Sequence, residues 1–182
     1  MIENTLKSQD FFNKTIELSL ARHGLEVSDQ AKNYLSGMLA QFSEDMELHK
    51  DWMQPITFRY QQVMEQTQKL QRQQSSRELG DHCLFLVGYF YEFVARHGQG
   101  QVQYHTEIGS NAYQQAGRTP YAELANKFTD LYLVIGDLHL PTLNNEKIVE
   151  LYQKWLQRGD KYYESLLLGK GVIPQRVKAG KN

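Results

Sequence analysis

The sequence predicts an all-α protein that folds as a single compact bundle of about seven helices. Apolar residues recur with the 3.6-residue period of a helix along most of the 182 residues. The four prolines, at positions 55, 120, 141 and 174, fall between the periodic segments and not inside them. With 41% hydrophobic residues and 13 glycines, the composition is that of a globular domain, so global disorder is excluded.

Three helices are predicted before the middle of the chain. The first covers about residues 9–23, the second begins at Ser28, and the third begins after Pro55. An irregular acidic stretch separates the second helix from the third, and residues 71–75 are predicted to be a flexible connection. The apolar positions of these helices are Phe12, Ile16 and Leu20; Ala31, Leu35, Met38, Leu39 and Phe42; and Ile56, Tyr60, Val63 and Leu70.

The fourth helix, over about residues 76–97, is predicted to lie buried at the centre of the bundle. A surface helix has one apolar stripe, whereas this segment is apolar around most of its circumference, so other helices must surround it. Its polar residues form one line at helical spacing, where low dielectric would perturb their ionisation. That line consists of Glu78, Asp81, His82, Tyr89 and Glu92.

Residues 101–108 can be interpreted in two ways. They alternate as a strand would, but no second strand is visible to pair with them, and a helix is therefore preferred. In that helix Gly109, Ala112 and Ala116 form a stripe of small side chains, which lets another helix axis approach closely. Gly80 and Gly88 of the fourth helix are the predicted counterparts.

A sixth helix is predicted over about residues 120–138. A seventh begins near Asn145, with a possible break at Gly159. The domain is therefore expected to cover residues 1–168, followed by a basic, flexible tail over residues 169–182.

Charge and cysteine content restrict the function classes. Twenty Lys and Arg residues oppose 21 Asp and Glu residues, so no global field favours nucleic acid beyond weak contact by the basic tail. The longest apolar run, residues 83–90, is shorter than the roughly 20 residues of a membrane helix. The single cysteine, Cys83, fits a reducing compartment, and the amino terminus shows no secretion signal. We therefore expect a cytoplasmic protein without membrane contact.

The candidate site is the polar line of the fourth helix together with Tyr104 and His105 of the next predicted helix, which covers about residues 101–116. Carboxylates and imidazoles can bind iron, manganese or zinc, and a histidine in an aromatic pocket can bind haem. The chain contains no Glu-x-x-His motif, however, and a structural role for these polar groups is the simpler interpretation. No metal or other cofactor is predicted, and the metal-ligating candidates of the alternative hypothesis are Glu78, His82, Glu92 and His105.

Three blocks of the sequence resemble the recurring blocks of a family of uncharacterised bacterial all-helical proteins. They are LGDHCLFLVGYF (79–90), YHTEIGSNAY (104–113) and ELANKF (123–128). The resemblance implies a bacterial, cytosolic setting and carries no function that can be transferred. It also implies one structural unit that contains Gly80, Asp81, Gly88, Tyr104, Gly109 and Tyr113.

The functional hypothesis is a non-enzymatic binding or regulatory module that recognises another protein, with a homodimer as one possible assembly. No catalytic residue is assigned, because no nucleophile elbow, phosphate loop or dinucleotide fingerprint occurs, and Cys83 has apolar neighbours. The alternative is a metal-dependent or haem-binding protein that uses the carboxylate and histidine side chains named above.

Overall fold

The computed structural model describes residues 2–45 and 55–176, and the regular structure in these ranges is entirely helical. The all-α class is confirmed, but the described ranges contain ten α-helices and not about seven. They are α1 (Ile2–His23), α2 (Asp29–Asp45), α3 (Ile56–Glu65), α4 (Lys69–Tyr89), α5 (Tyr91–Arg96), α6 (Gln99–Ala116), α7 (Tyr121–Asn126), α8 (Phe128–Gly136), a 3-10 helix (Asp137–Thr142), α9 (Asn145–Arg158) and α10 (Lys161–Gly169). None of these helices is long and apolar enough to cross a membrane.

The chain divides into two compact units, Met1–Ile135 and Gly136–Asn182. The first contains α1 to α7 and nearly all of α8, and the second contains the 3-10 helix, α9 and α10. Each unit is described by itself below, and the assignment of residues 1–168 to one domain stays a prediction.

The predicted fourth helix ends near residue 97 as expected, but its continuity and its start are wrong. It is two helices, because Phe90 leaves the helical conformation at φ −109° and ψ 34° between α4 and α5. The ring of Phe90 packs edge-on against Phe85 and Tyr89, at centroid distances of 5.6 and 5.0 Å. These aromatic contacts offset the free-energy cost of interrupting the helix. At the other end, α4 begins at Lys69, so residues 71–75 are helical and not a flexible connection. Gln and Arg in that stretch are good helix formers.

The prediction that this segment is central is confirmed for α4 within the first unit. Nearly every residue from Leu79 to Gly88 is buried, and α4 packs along α6, with α3 and α5 also against it. Gly109 of α6 makes this approach possible. A Cβ atom at Gly109 would lie 2.6 Å from Cβ of Cys83 and 2.5 Å from Cζ of Phe128.

The helical interpretation of residues 101–108 is confirmed, because they belong to α6. The two predicted counterparts of its small face differ in outcome. Gly80 does face α6, where the ring of Tyr113 occupies the space of the missing Cβ. Gly88 instead faces α8, since a Cβ atom at position 88 would lie 2.7 Å from Cβ of Ile135. The predicted pairing of Gly88 with α6 is therefore wrong.

The second unit is built around α9 and α10. Gly159 ends α9 in the left-handed conformation, φ 70°, and so confirms the predicted break. Beyond α10, the hydroxyl of Tyr152 bonds to the backbone of Gln175, and the guanidinium of Arg176 lies 5.6 Å from the Trp155 ring. Gln175 and Arg176 of the predicted tail thus contact α9, while residues 177–182 lie outside the described ranges.

Candidate functional site

The candidate site is a pocket of about 550 Å³ in the first unit, which we call the aromatic pocket. The start of α3 forms one wall, α5 and the first half of α6 form the other, and Leu86 of α4 contributes from the middle of the unit. Its lining residues are Pro55, Ile56, Thr57, Leu86, Phe93, Val94, His97, Gln101, Tyr104 and His105. The volume and the mainly apolar lining are those of a typical binding site.

A sharp reversal at Gly98 brings α5 and α6 together in one wall of the pocket. Gly98 has φ 122°, a conformation that side chains other than glycine rarely adopt. Because the chain turns back there, Phe93 and His97 on one side meet Gln101 and His105 on the other. The break at Phe90 and the turn at Gly98 together create the pocket, since one straight helix over residues 76–97 could not bend around it.

The two histidines of the pocket have the same hydrogen-bonded arrangement. Nδ1 of His105 lies 2.7 Å from the carbonyl oxygen of Gln101, and Nδ1 of His97 lies 2.9 Å from that of Phe93. A carbonyl oxygen only accepts, so Nδ1 carries the proton and donates it in both rings. Burial lowers the pKa of His105, against an opposing contribution from its bond to Gln101. The neutral His105 ring therefore has a lone pair on Nε2.

His82 lies on α4 one turn before the pocket residue Leu86. Its side chain is 3% exposed, and its Nε2 atom has no hydrogen-bond partner in the part of the chain that the structure describes. Burial lowers the pKa of His82 to about 3, and the nearby charges of Arg59 and His105 act in the same direction. His82 is thus a neutral, buried imidazole at physiological pH.

We expect the titration of His82 to destabilise the protein in acid. Between pH 6.5 and 3 the unfolded chain binds a proton on His82 that the folded protein excludes, so stability falls as the pH falls. The loss should approach about 1 kcal/mol for each pH unit below about 6. Urea unfolding at a series of pH values between neutrality and about pH 5 measures it.

The comparison for this prediction is His82→Leu, which keeps an apolar side chain in the same buried space. Groups that do not interact with His82 titrate equally in both proteins, so the difference between their free energies of unfolding reports mainly on position 82. The wild type should lose stability relative to the variant as the pH falls. A constant difference over this range would contradict the burial of a neutral His82.

Asp81 belongs to a separate cluster on another face of α4. Its carboxylate accepts hydrogen bonds from the hydroxyls of Tyr34 of α2, at 2.6 and 2.7 Å, and of Tyr113 of α6, at 2.7 Å. Burial raises the pKa of Asp81 to about 6, although these two hydrogen bonds act in the opposite direction. The cluster connects three helices and does not line the aromatic pocket.

The remaining predicted residues do not form one site. Glu78 is exposed, with Gln74 at 3.1 Å and Arg77 at 3.9 Å, and Tyr89 stacks on Phe85 at a centroid distance of 5.4 Å. Glu92 is half-buried on α5. Within residues 2–45 and 55–176, no group of three or more His, Cys, Asp or Glu side chains is placed to hold a metal ion. Of the seven predicted residues, only Tyr104 and His105 line the pocket.

Sequence reasoning missed His97 and Gln101. His97 directly precedes Gly98, and the sequence does predict that Gly98 and Gly100 end the fourth helix and enclose a tight reversal, but the prediction assigns no role to His97. Its spacing from His105 gives no indication of proximity unless the chain reverses between them. The glycines at positions 98 and 100 were a usable signal, because a turn there places both histidines in one corner of the fold.

Compared with known proteins, the chain matches no family model, no curated protein and no solved structure. The resemblance to uncharacterised bacterial helical proteins therefore stays a prediction.

Proposed function

We propose that the protein is a non-enzymatic binding or regulatory module that recognises another protein, and that the aromatic pocket receives an apolar side chain of this partner. The observation that carries the proposal is the mouth of the pocket. Phe93 and Tyr104 both line it and are both 38% exposed, so their rings are only partly covered within the chain. A partner that covers them gains roughly 25 cal/mol per Å² of buried apolar surface.

The neighbouring surface of α3 supports a macromolecular partner. Phe58 is 60% exposed, and Tyr60 and Met64 are exposed along the same short helix, which begins at the pocket wall. Aromatic residues and methionine are enriched at protein interfaces, and a pocket that holds one buried anchor commonly lies at the centre of such a surface. A small molecule within the pocket would leave these α3 side chains uncovered.

The alternative, a metal-dependent or haem-binding protein, finds less support. Its four candidate ligands lie in different surroundings, from the exposed Glu78 to the buried His82. We also propose a bacterial, cytoplasmic setting. Burial raises the pKa of the Cys83 thiol, and an unpaired, unreactive thiol of this kind is usual in reducing compartments.

Site-specific photo-crosslinking in cells of the encoding organism tests the proposed function. A benzophenone amino acid replaces Thr57, an exposed residue of the pocket wall, and in a matched protein it replaces Leu18, which is 74% exposed on α1. We expect a protein adduct from position 57 that position 18 does not form. Phe93→Ala should reduce this adduct about tenfold, and Leu18→Ala should leave it unchanged.

An adduct with a second copy of this chain would identify the partner as a homodimer and would equally support protein recognition. If position 57 gives no protein adduct beyond those of position 18, or if Phe93→Ala leaves the adduct intact, the proposed function is wrong.

A further inference from the structure

We infer that the side chain entering the aromatic pocket is a tyrosine or a tryptophan, whose O–H or N–H donates a hydrogen bond to Nε2 of His105. This inference rests on the proposed function and specifies the chemistry of the anchor. It follows from the charge of the lining, the hydrogen-bonding state of its histidines and the shape of its walls.

The lining favours an uncharged occupant. None of the lining residues that the structure describes is Asp, Glu, Lys or Arg, so a buried ammonium group would find no opposite charge among them. Transferring an unpaired charge out of water is far more costly than transferring a neutral polar group. A basic anchor is therefore disfavoured. An acidic anchor would need a protonated histidine, and burial lowers the pKa of His105. The occupant is an apolar side chain with at most a neutral polar group.

The polar corner of the pocket favours a donor. Nδ1 of His105 already donates to the carbonyl of Gln101, so the other ring nitrogen of the neutral imidazole can only accept. That nitrogen faces no hydrogen-bond donor from the described residues. An anchor without a polar hydrogen, such as Phe or Leu, would remove water from it and leave it unsatisfied.

His97 reinforces the same preference from α5. Its Nδ1 atom is engaged by the carbonyl of Phe93 in the same manner, so its Nε2 atom is also an acceptor in the neutral ring. The Phe93 and His97 rings meet edge-on at 5.0 Å, and Tyr104 also lines the pocket. Aromatic walls of this kind suit an aromatic ring, and Tyr and Trp are the aromatic side chains that carry a donor.

Side-chain analogues test the inference on the purified full-length chain. We use p-cresol for tyrosine, 3-methylindole for tryptophan and toluene for phenylalanine, and 4-methylanisole as the matched control in which the phenol proton of p-cresol is replaced by methyl. Protein with ¹⁵N-labelled histidine is titrated to millimolar ligand, and the imidazole nitrogens are followed by NMR. We expect p-cresol and 3-methylindole to bind about tenfold more tightly than toluene and 4-methylanisole.

The ¹⁵N chemical shift of Nε2 of His105 reports the hydrogen bond directly in the wild-type protein, without a variant. Donor ligands should shift it, and toluene should shift it much less. His105→Leu and His97→Leu are then compared: the first should abolish the preference for p-cresol over toluene, while the second should retain most of it.

The outcomes separate this inference from the proposed function. Equal affinity for p-cresol and 4-methylanisole, with resonances of His97 and His105 perturbed by both, overturns the tyrosine or tryptophan anchor and leaves the crosslinking test unaffected. If no analogue perturbs either histidine, the anchor inference also fails. The crosslinking experiment alone decides the proposed function, whatever the analogues show.

Discussion

Gly109→Ala should destabilise the protein by about 2 to 3 kcal/mol, because the new methyl group has no space between α4 and α6. Its Cβ atom would lie 2.5 Å from Cζ of Phe128 and 2.6 Å from Cβ of Cys83. Phe128 is 2% exposed and Cys83 is fully buried, so neither side chain can turn away into solvent. The two helices must separate instead, and overpacking of this kind typically costs about 1 to 3 kcal/mol.

Gly100→Ala is the matched control on the same helix. A Cβ atom at Gly100 would have no neighbour within 4 Å, and the residue is exposed in the first turn of α6. Because alanine has the higher helix propensity, this change should stabilise the protein by up to about 1 kcal/mol. Urea unfolding of the wild type and both variants measures the difference. Equal midpoints for the two variants would contradict the close packing of α4 against α6.

The sequence predicted the core of the first unit better than its helix boundaries. The dense apolar pattern of residues 79–88 identified the central helix, because only a helix with neighbours on all sides can bury so many large side chains. The small side chains of α6 similarly indicated close packing, which Gly109 confirms. Phe90 and Lys127, where long predicted helices divide, are ordinary residues for a helix interior. Tertiary packing decides their conformation, and no local pattern reports it.

The candidate site was less predictable than the core. Tyr104 and His105 were identified from their positions on α6, but the pocket also needs Ile56 and Leu86, which are far apart in the sequence. A pocket forms where helices diverge, and divergence depends on the turns between them. The residues of the polar line of the fourth helix lie in different surroundings for a related reason. Asp81 and His82 are neighbours in the chain, yet they point to different clusters.

Removing the carboxylate of Asp81 should destabilise the protein by about 3 kcal/mol near neutral pH. In Asp81→Ala the hydroxyls of Tyr34 and Tyr113 lose the acceptor they share, and the fully buried Tyr113 keeps only Sδ of Met38, a weak acceptor at 3.8 Å. A buried donor that loses its strong acceptor costs about 1 to 3 kcal/mol. Glu78→Ala, three residues earlier on α4, is the control. Because Glu78 is exposed, this substitution should change the free energy of unfolding by no more than about 0.5 kcal/mol.

The dependence of this difference on pH distinguishes a carboxylate with a raised pKa from an ordinary ion pair. The pKa of Asp81 is raised to about 6 by burial, from an ordinary value of 3.8. Between these two values the folded protein retains a proton that the unfolded chain has released. Protonation therefore favours the folded state, and the contribution of Asp81 to stability grows as the pH falls.

We accordingly expect the wild type to gain about 1 to 2 kcal/mol over Asp81→Ala when the pH is lowered from about 7.5 to about 4.5. The partial exposure of Asp81 keeps this figure below the full effect of the pKa shift. Urea unfolding of both proteins at each pH measures the gain, and titrations elsewhere cancel in the comparison. If the difference in free energy of unfolding between the two proteins became smaller as the pH is lowered, the folded protein would stabilise the ionised carboxylate. In that case the two tyrosine hydrogen bonds, and not burial, would dominate the electrostatics of the cluster.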